Sequence, residues 1–170
     1  MTTPRIYVAD LAAYNNGRLH GTWIDATQET DDIWAEISTM LKASPEGFAE
    51  EHAIHDHEGF EGAPISEYQS IETVQKIALF IEEHGELGAS VLEHFGGDME
   101  EAQTALEESY NGEHKSLAVF AEELTEETSE IPQHLQYYID YEKMGRDWEL
   151  SGDIFTIETG FEEVHIFWSR

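Results

Sequence analysis

The sequence predicts an α+β protein, an elongated chain of three small units that are mixed α/β, all-helical and mixed α/β in order. Three observations carry this prediction. Short β-branched and aromatic runs lie only toward the two ends, at 5–9, 19–24, 52–56, 154–158 and 164–168. Between them, apolar residues recur at helical spacing. Breaks around Gly59, Gly62 and Pro64, and again at Asn111-Gly112, divide the 170 residues into 1–61, 62–112 and 113–170. Pieces this short are weakly stable alone, so they are expected to lean on one another or on a second subunit.

In the first unit, residues 5–9 and 19–24 read as strands joined by a turn at Asn15-Asn16-Gly17, where positive φ is tolerated. Thr30 caps a helix with core positions Ile33, Trp34, Ile37, Met40 and Leu41, ended by Ser44-Pro45-Glu46-Gly47. Residues 52–56 supply a third strand. In the middle unit, Ser70 caps a helix with the inner stripe Ile71, Val74, Ile77, Ala78 and Ile81, stopped near Gly85. Leu87, Val91, Leu92 and Phe95 mark a second helix, closed by Gly96-Gly97. Asp98 and Glu101 resemble a capping box for a third, with Met99, Ala102, Leu106 and Tyr110 inward. In the last unit, one helix runs over Leu117, Phe120, Ala121 and Leu124. A second follows Pro132 through Leu135, Tyr138, Ile139 and Met144, and a hairpin around Gly160 closes the chain.

Charge dominates what these elements carry. Eight Lys+Arg face 37 Asp+Glu, a formal net charge of −29. The segments 1–60, 61–114 and 115–170 contribute −8, −12 and −9, so the acids belong to folded elements and not to a tail. Such a charge opposes binding to a nucleic-acid backbone or an anionic membrane. No apolar run is long enough to span a bilayer, and the first residues do not begin a signal peptide; a soluble cytoplasmic protein is expected. With no cysteine, disulfides, zinc-thiolate sites and cysteine nucleophiles are excluded.

The placement of the acids is informative. Glu122/Glu126 and Glu123/Glu127 are i, i+4 like-charge pairs, each costing roughly 0.2–0.5 kcal/mol. Glu100, Glu101, Glu107 and Glu108 share the face opposite Met99 and Leu106. A solvated face explains any one such helix, but not the lack of compensating Lys and Arg on nearly all of them. Adaptation to concentrated salt is the other bland account, and 28 Glu against 9 Asp argue against it. Duplex DNA carries one charge per ~1.7 Å, so 29 charges match about 49 Å of duplex. Charge density therefore permits a folded imitation of DNA.

Other chemistry is thinly supported. His52, His55 and His57 lie among acids, with His55 and His57 expected on one strand face and His52 on the other, but their spacing matches no zinc pattern. Incidental metal binding there is left open, with no functional metal and no cofactor expected. No G-x-S-x-G elbow or phosphate-cradling glycine loop occurs, and the protein is read as a non-enzyme. The closing aromatics Tyr137, Tyr138, Tyr141, Trp148, Phe155, Phe161, Phe167 and Trp168 read as core, as subunit interface, or as a mixture of both.

The stretches RIYVADLAAYNNGRLHGTWID, EEHAIHDHEGFEG, IALFIEEHGELGASVLEHFG and LAVFAEELTEET…IDYEKMGRDWELSGDIFTIE together resemble the ArdA antirestriction proteins, products of mobile genetic elements. The resemblance implies an elongated monomer that dimerises through its last unit, and a dimer that imitates bent duplex DNA. It further implies occupation of the DNA-binding groove of type I restriction–modification enzymes. The family's antirestriction motif falls near 117–130. On this reading Glu72, Glu82, Glu83, Glu86, Glu100, Glu101, Glu107, Glu108, Glu122, Glu123, Glu126 and Glu127 form the phosphate-imitating surface. Tyr138, Tyr141, Trp148 and Phe155 are the candidate dimer contacts. The competing reading is an acidic chaperone or buffer for a basic nucleoid or histone-like protein. Crowded carboxylates are also expected to raise one another's pKa, so that mild acid and added salt stabilise the fold.

Overall fold

The computed structural model describes residues 2–169. It is mixed α and β, with two small antiparallel sheets, and by contact the chain forms two compact units, one up to Met99 and one from Glu100.

In the first unit, β1 (Arg5–Asp10) is the central strand, paired antiparallel with β2 (Gly21–Asp25) and β3 (His52–Glu58) in the order β2-β1-β3. The loop from β1 to β2 is more than the expected turn. Asp10 caps a five-residue helix, α1 (Leu11–Asn15), its Oδ1 accepting from the Ala13 N–H at 3.2 Å. Helix α2 (Thr30–Lys42) buries Ile33, Ile37 and Met40 over Ile6, Val8 and Ile24 of the sheet. Its cap position is Glu29, one residue before the expected Thr30. Trp34, expected inside, is 40% exposed because its indole N–H reaches out to Glu72 Oε1 at 3.2 Å.

Helix α3 (Ile71–His94) follows the expected stripe: Ile71, Val74, Ile77, Ala78 and Ile81 are all buried, and Ser70 accepts from the Thr73 N–H. Gly85 breaks it at φ 65°, ψ −148°, which separates the two helices read from the sequence. Val91 and Leu92 bury the second half.

In the second unit, α4 (Met99–Thr104) runs into a π turn over Ala105–Ser109. The helix then ends earlier than its apolar spacing suggests. Tyr110, expected on its inner face, begins β4 (Tyr110–His114), which pairs with β6 (Glu163–Trp168). Asn111-Gly112, read from the sequence as a break, is an irregularity inside a strand, with Gly112 at φ 88°. The middle segment is not all-helical. Strand β5 (Ile154–Gly160) completes the order β4-β6-β5 and forms the expected hairpin with β6.

One face of this sheet packs on α5 (Leu117–Thr128) and α6 (Tyr141–Ser151), around Phe120, Ile154, Val164 and Ile166, with Leu117, Leu124 and Trp148 against them. Ser116 caps α5 through the Val119 N–H, and Asp140 caps α6 through the Lys143 N–H. The single helix expected from Pro132 to Met144 is a 3-10 turn (Gln133–Tyr138) followed by α6, with Asp140 starting the helix afresh. The two helices lie close because residue 145 is glycine: a Cβ there would stand 2.7 Å from Leu117 Cγ.

Candidate protein-interaction surface

Among the described residues every Asp and Glu is exposed except Asp10, which is buried, and Glu46 and Glu58, which are half-buried. All twelve acids chosen from the sequence are therefore at the surface. Glu72, Glu82, Glu83 and Glu86 stand on α3 in the first unit. In the second unit Glu100 and Glu101 stand on α4, Glu107 and Glu108 on the π turn, and Glu122, Glu123, Glu126 and Glu127 on α5.

Helix α5 shows how the local sequence produces this face. Phe120 and Ala121 are buried and Leu117 and Leu124 partly so, which turns both i, i+4 glutamate pairs outward. Its 12 residues span ~18 Å, one carboxylate per ~4.5 Å. A single DNA strand carries one phosphate per ~3.4 Å of axis, so α5 approaches the linear charge density of one strand.

Among the described residues, the arginines do little to quench this charge. Arg5, Arg18 and Arg146 pair with Glu58, Glu46 and Glu142, all outside the chosen set. Histidines touch it instead. His114 Nδ1 is 3.1 Å from Glu123 Oε2, and His84 Nε2 is 3.7 Å from Glu83 Oε2. Glu72 is held below the usual carboxylate range, first by its own backbone N–H at the start of α3 and then by the Trp34 indole.

The aromatic candidates divide between core and surface. Trp148 packs on Phe120 at 6.1 Å, and Phe155 stacks on Phe167 at 4.8 Å with an interplanar angle of 3°. Tyr138 is 83% exposed, beside Tyr137 at 94%. Tyr141 lies by the acidic face of α5: desolvation and then Glu126 and Glu122 push its phenol pKa up.

The histidines of β3 do not converge. A register irregularity opposite Tyr7 and Val8 interrupts the strand's alternation, so the shared face expected for His55 and His57 is lost. His52 meets Trp34, His55 meets Tyr14 and Glu67, and His57 meets Phe60. Among the described residues no group of three or more His, Asp or Glu is placed to hold a metal ion, and no helix is long and apolar enough to cross a membrane.

Sequence reasoning passed over one polar assembly. His165, buried on β6, contacts the Tyr110 hydroxyl through Nδ1 at 2.7 Å and Thr159 Oγ1 through Nε2 at 2.9 Å, and Thr159 Oγ1 lies 3.1 Å from Glu163 Oε2. The carboxylate only accepts, which orients the chain. Thr159 donates to Glu163, His165 Nε2–H donates to Thr159, and the Tyr110 hydroxyl donates to Nδ1. Burial keeps the His165 pKa low, with Glu113 and Glu163 pulling the other way, which agrees with this neutral tautomer. The signal available in the sequence was the alternation of Val164, Ile166 and Trp168 with His165 and Phe167, which faces His165 away from the Val164–Ile166 core.

The chain matches the family described as antirestriction protein (ArdA) over residues 6–163. It belongs to that family. The match spans nearly the whole chain, both compact units included. No curated protein matches it. Membership in the ArdA family implies an antirestriction function, and it points to the restriction–modification apparatus as partner.

Proposed function

We propose that this ArdA protein is a cytoplasmic, non-enzymatic DNA mimic that inhibits type I restriction–modification enzymes. Its carboxylates stand in for phosphates, pair with the enzyme's Lys and Arg, and exclude DNA from the DNA-binding groove. The observation supporting this reading most directly is α5, an ordered helix with four exposed glutamates at close to single-strand charge density. Pairing is collective, so one neutralised glutamate changes little. Steering by the extended field makes association fast and salt-sensitive.

The proposal includes three folding pieces, 1–61, 62–112 and 113–170, and a homodimer formed through the last. Tyr138, Tyr141, Trp148 and Phe155 are offered as its contacts, Tyr138 being the most exposed of the four. The test titrates purified protein into a type I methyltransferase bound to labelled DNA at fixed salt. Release of DNA at micromolar protein is expected. DNA that stays bound counts against mimicry, and leaves an acidic chaperone for a basic nucleoid protein as the better account.

A further inference from the structure

The β5–β6 hairpin ends in a tip that the acidic-surface reading does not use. Phe161 is 90% exposed there, between Gly160 and Glu162. The tip is built and buttressed. Glu162 sits in the left-handed region at φ 57°, so a charged residue occupies a position glycine takes more cheaply. The Glu163 carboxylate is held by the Thr159 hydroxyl and, through it, by His165 and Tyr110. It also lies over Gly160, where a Cβ would stand 2.6 Å from Glu163 Oε2. Glu158 and Glu162 are exposed on the same hairpin. The result is one exposed phenyl ring at a hairpin turn, with Glu158, Glu162 and Glu163 exposed on the same hairpin.

Charge complementarity restricts what covers such a ring. An anionic membrane is repelled, and a second copy would bring the same three acids against themselves. A cationic protein surface satisfies both parts. We propose that Phe161 is an aromatic anchor for a recess lined by arginine on the protein partner. A guanidinium lies over the phenyl face, and Glu162 and Glu163 pair with neighbouring cations at the rim. This inference rests on the proposed inhibition of a DNA-binding enzyme and adds to it a contact that DNA does not make. Carboxylate pairs displace counterions and so weaken as salt rises, whereas a stacked ring displaces none.

The test measures displacement of labelled DNA from a type I methyltransferase by full-length protein across a salt series. Phe161→Ala is expected to weaken competition about three- to thirty-fold at every salt concentration, leaving the slope against log salt unchanged. Phe161→Trp should retain or strengthen it, and Phe161→Leu should recover only part. Glu162→Gln with Glu163→Gln should instead flatten the slope. Full competition by Phe161→Ala overturns the inference while leaving mimicry standing. So does a change of oligomeric state in sedimentation, which would make the ring a contact between copies. If the unaltered protein displaces no DNA, the mimicry reading fails and this inference falls with it.

Discussion

Reversing two glutamates on α5 should stabilise the fold while destroying its activity. In Glu126→Lys with Glu127→Lys, the like-charge pairs Glu122/Glu126 and Glu123/Glu127 become Glu–Lys pairs, with glutamate on the favourable N-terminal side. Each pair swings from a penalty of ~0.2–0.5 kcal/mol to a gain of similar size, about 0.8–2 kcal/mol for both. The new lysines lie in the last turn of α5, where the helix dipole favours cations. For a chain of this size, that raises the melting temperature by about 2–8 °C. Two carboxylates lost and two ammoniums gained take the net charge from −29 to −25. At the enzyme, each reversal removes one attraction and adds one repulsion of ~1 kcal/mol at ~4 Å, halved by screening. Competition with DNA should weaken about thirty-fold. The assays are circular-dichroism melting at low and high salt, and DNA displacement from a type I methyltransferase. A lowered melting temperature would sink the repulsion reasoning. A raised one with inhibition intact would remove α5 from the interaction surface.

Further outcomes concern single sites. Burial lowers the pKa of His52 and of His165, so below the unfolded value near ~6.5 the unfolded chain takes up protons first. Stability is then unaffected by these two groups above that pH and lost as pH falls through it toward their folded values. From pH 8 to 5.5 the melting temperature of His165→Gln should rise relative to that of the unaltered protein; a difference that does not change with pH would overturn the assignment. Gly145→Ala places a methyl against Leu117 and should cost about 1–3 kcal/mol, read as a lowered melting temperature. Glu162→Gly relieves roughly 1–2 kcal/mol of left-handed strain against ~0.5–1 kcal/mol of lost chain rigidity. It should melt slightly higher and compete less well for the enzyme.

Much of the fold was legible because burial imposes periods. The α3 stripe and its stop at Gly85 follow from helical spacing and a residue without a Cβ. The closing hairpin follows from two short apolar runs. What misled was chemistry shared between alternatives. Asn111-Gly112 suits a turn and also suits an irregularity within a strand, and only pairing with β6 decides between them. Tyr110 fitted the α4 stripe until the π turn advanced the chain. Exposure of the acids was legible, since unpaired charge is rarely buried. The Tyr110–His165–Thr159–Glu163 chain was not, because Tyr110 lies 55 residues from His165 and reaches it only through the pairing of β4 with β6, and the other three meet only once the hairpin register is set.

The outward carboxylates of α5 have an evolutionary consequence. On the mimicry reading, the cations that hold them are the cations that hold the enzyme's own substrate. An enzyme cannot escape by discarding them without also losing its grip on DNA, so resistance by point mutation is closed off over most of the contact. The hairpin tip is different. A recess that receives Phe161 has no duty toward DNA, and it can change freely. Escape variants selected in a targeted enzyme should therefore cluster opposite the β5–β6 turn and spare the groove that faces α5.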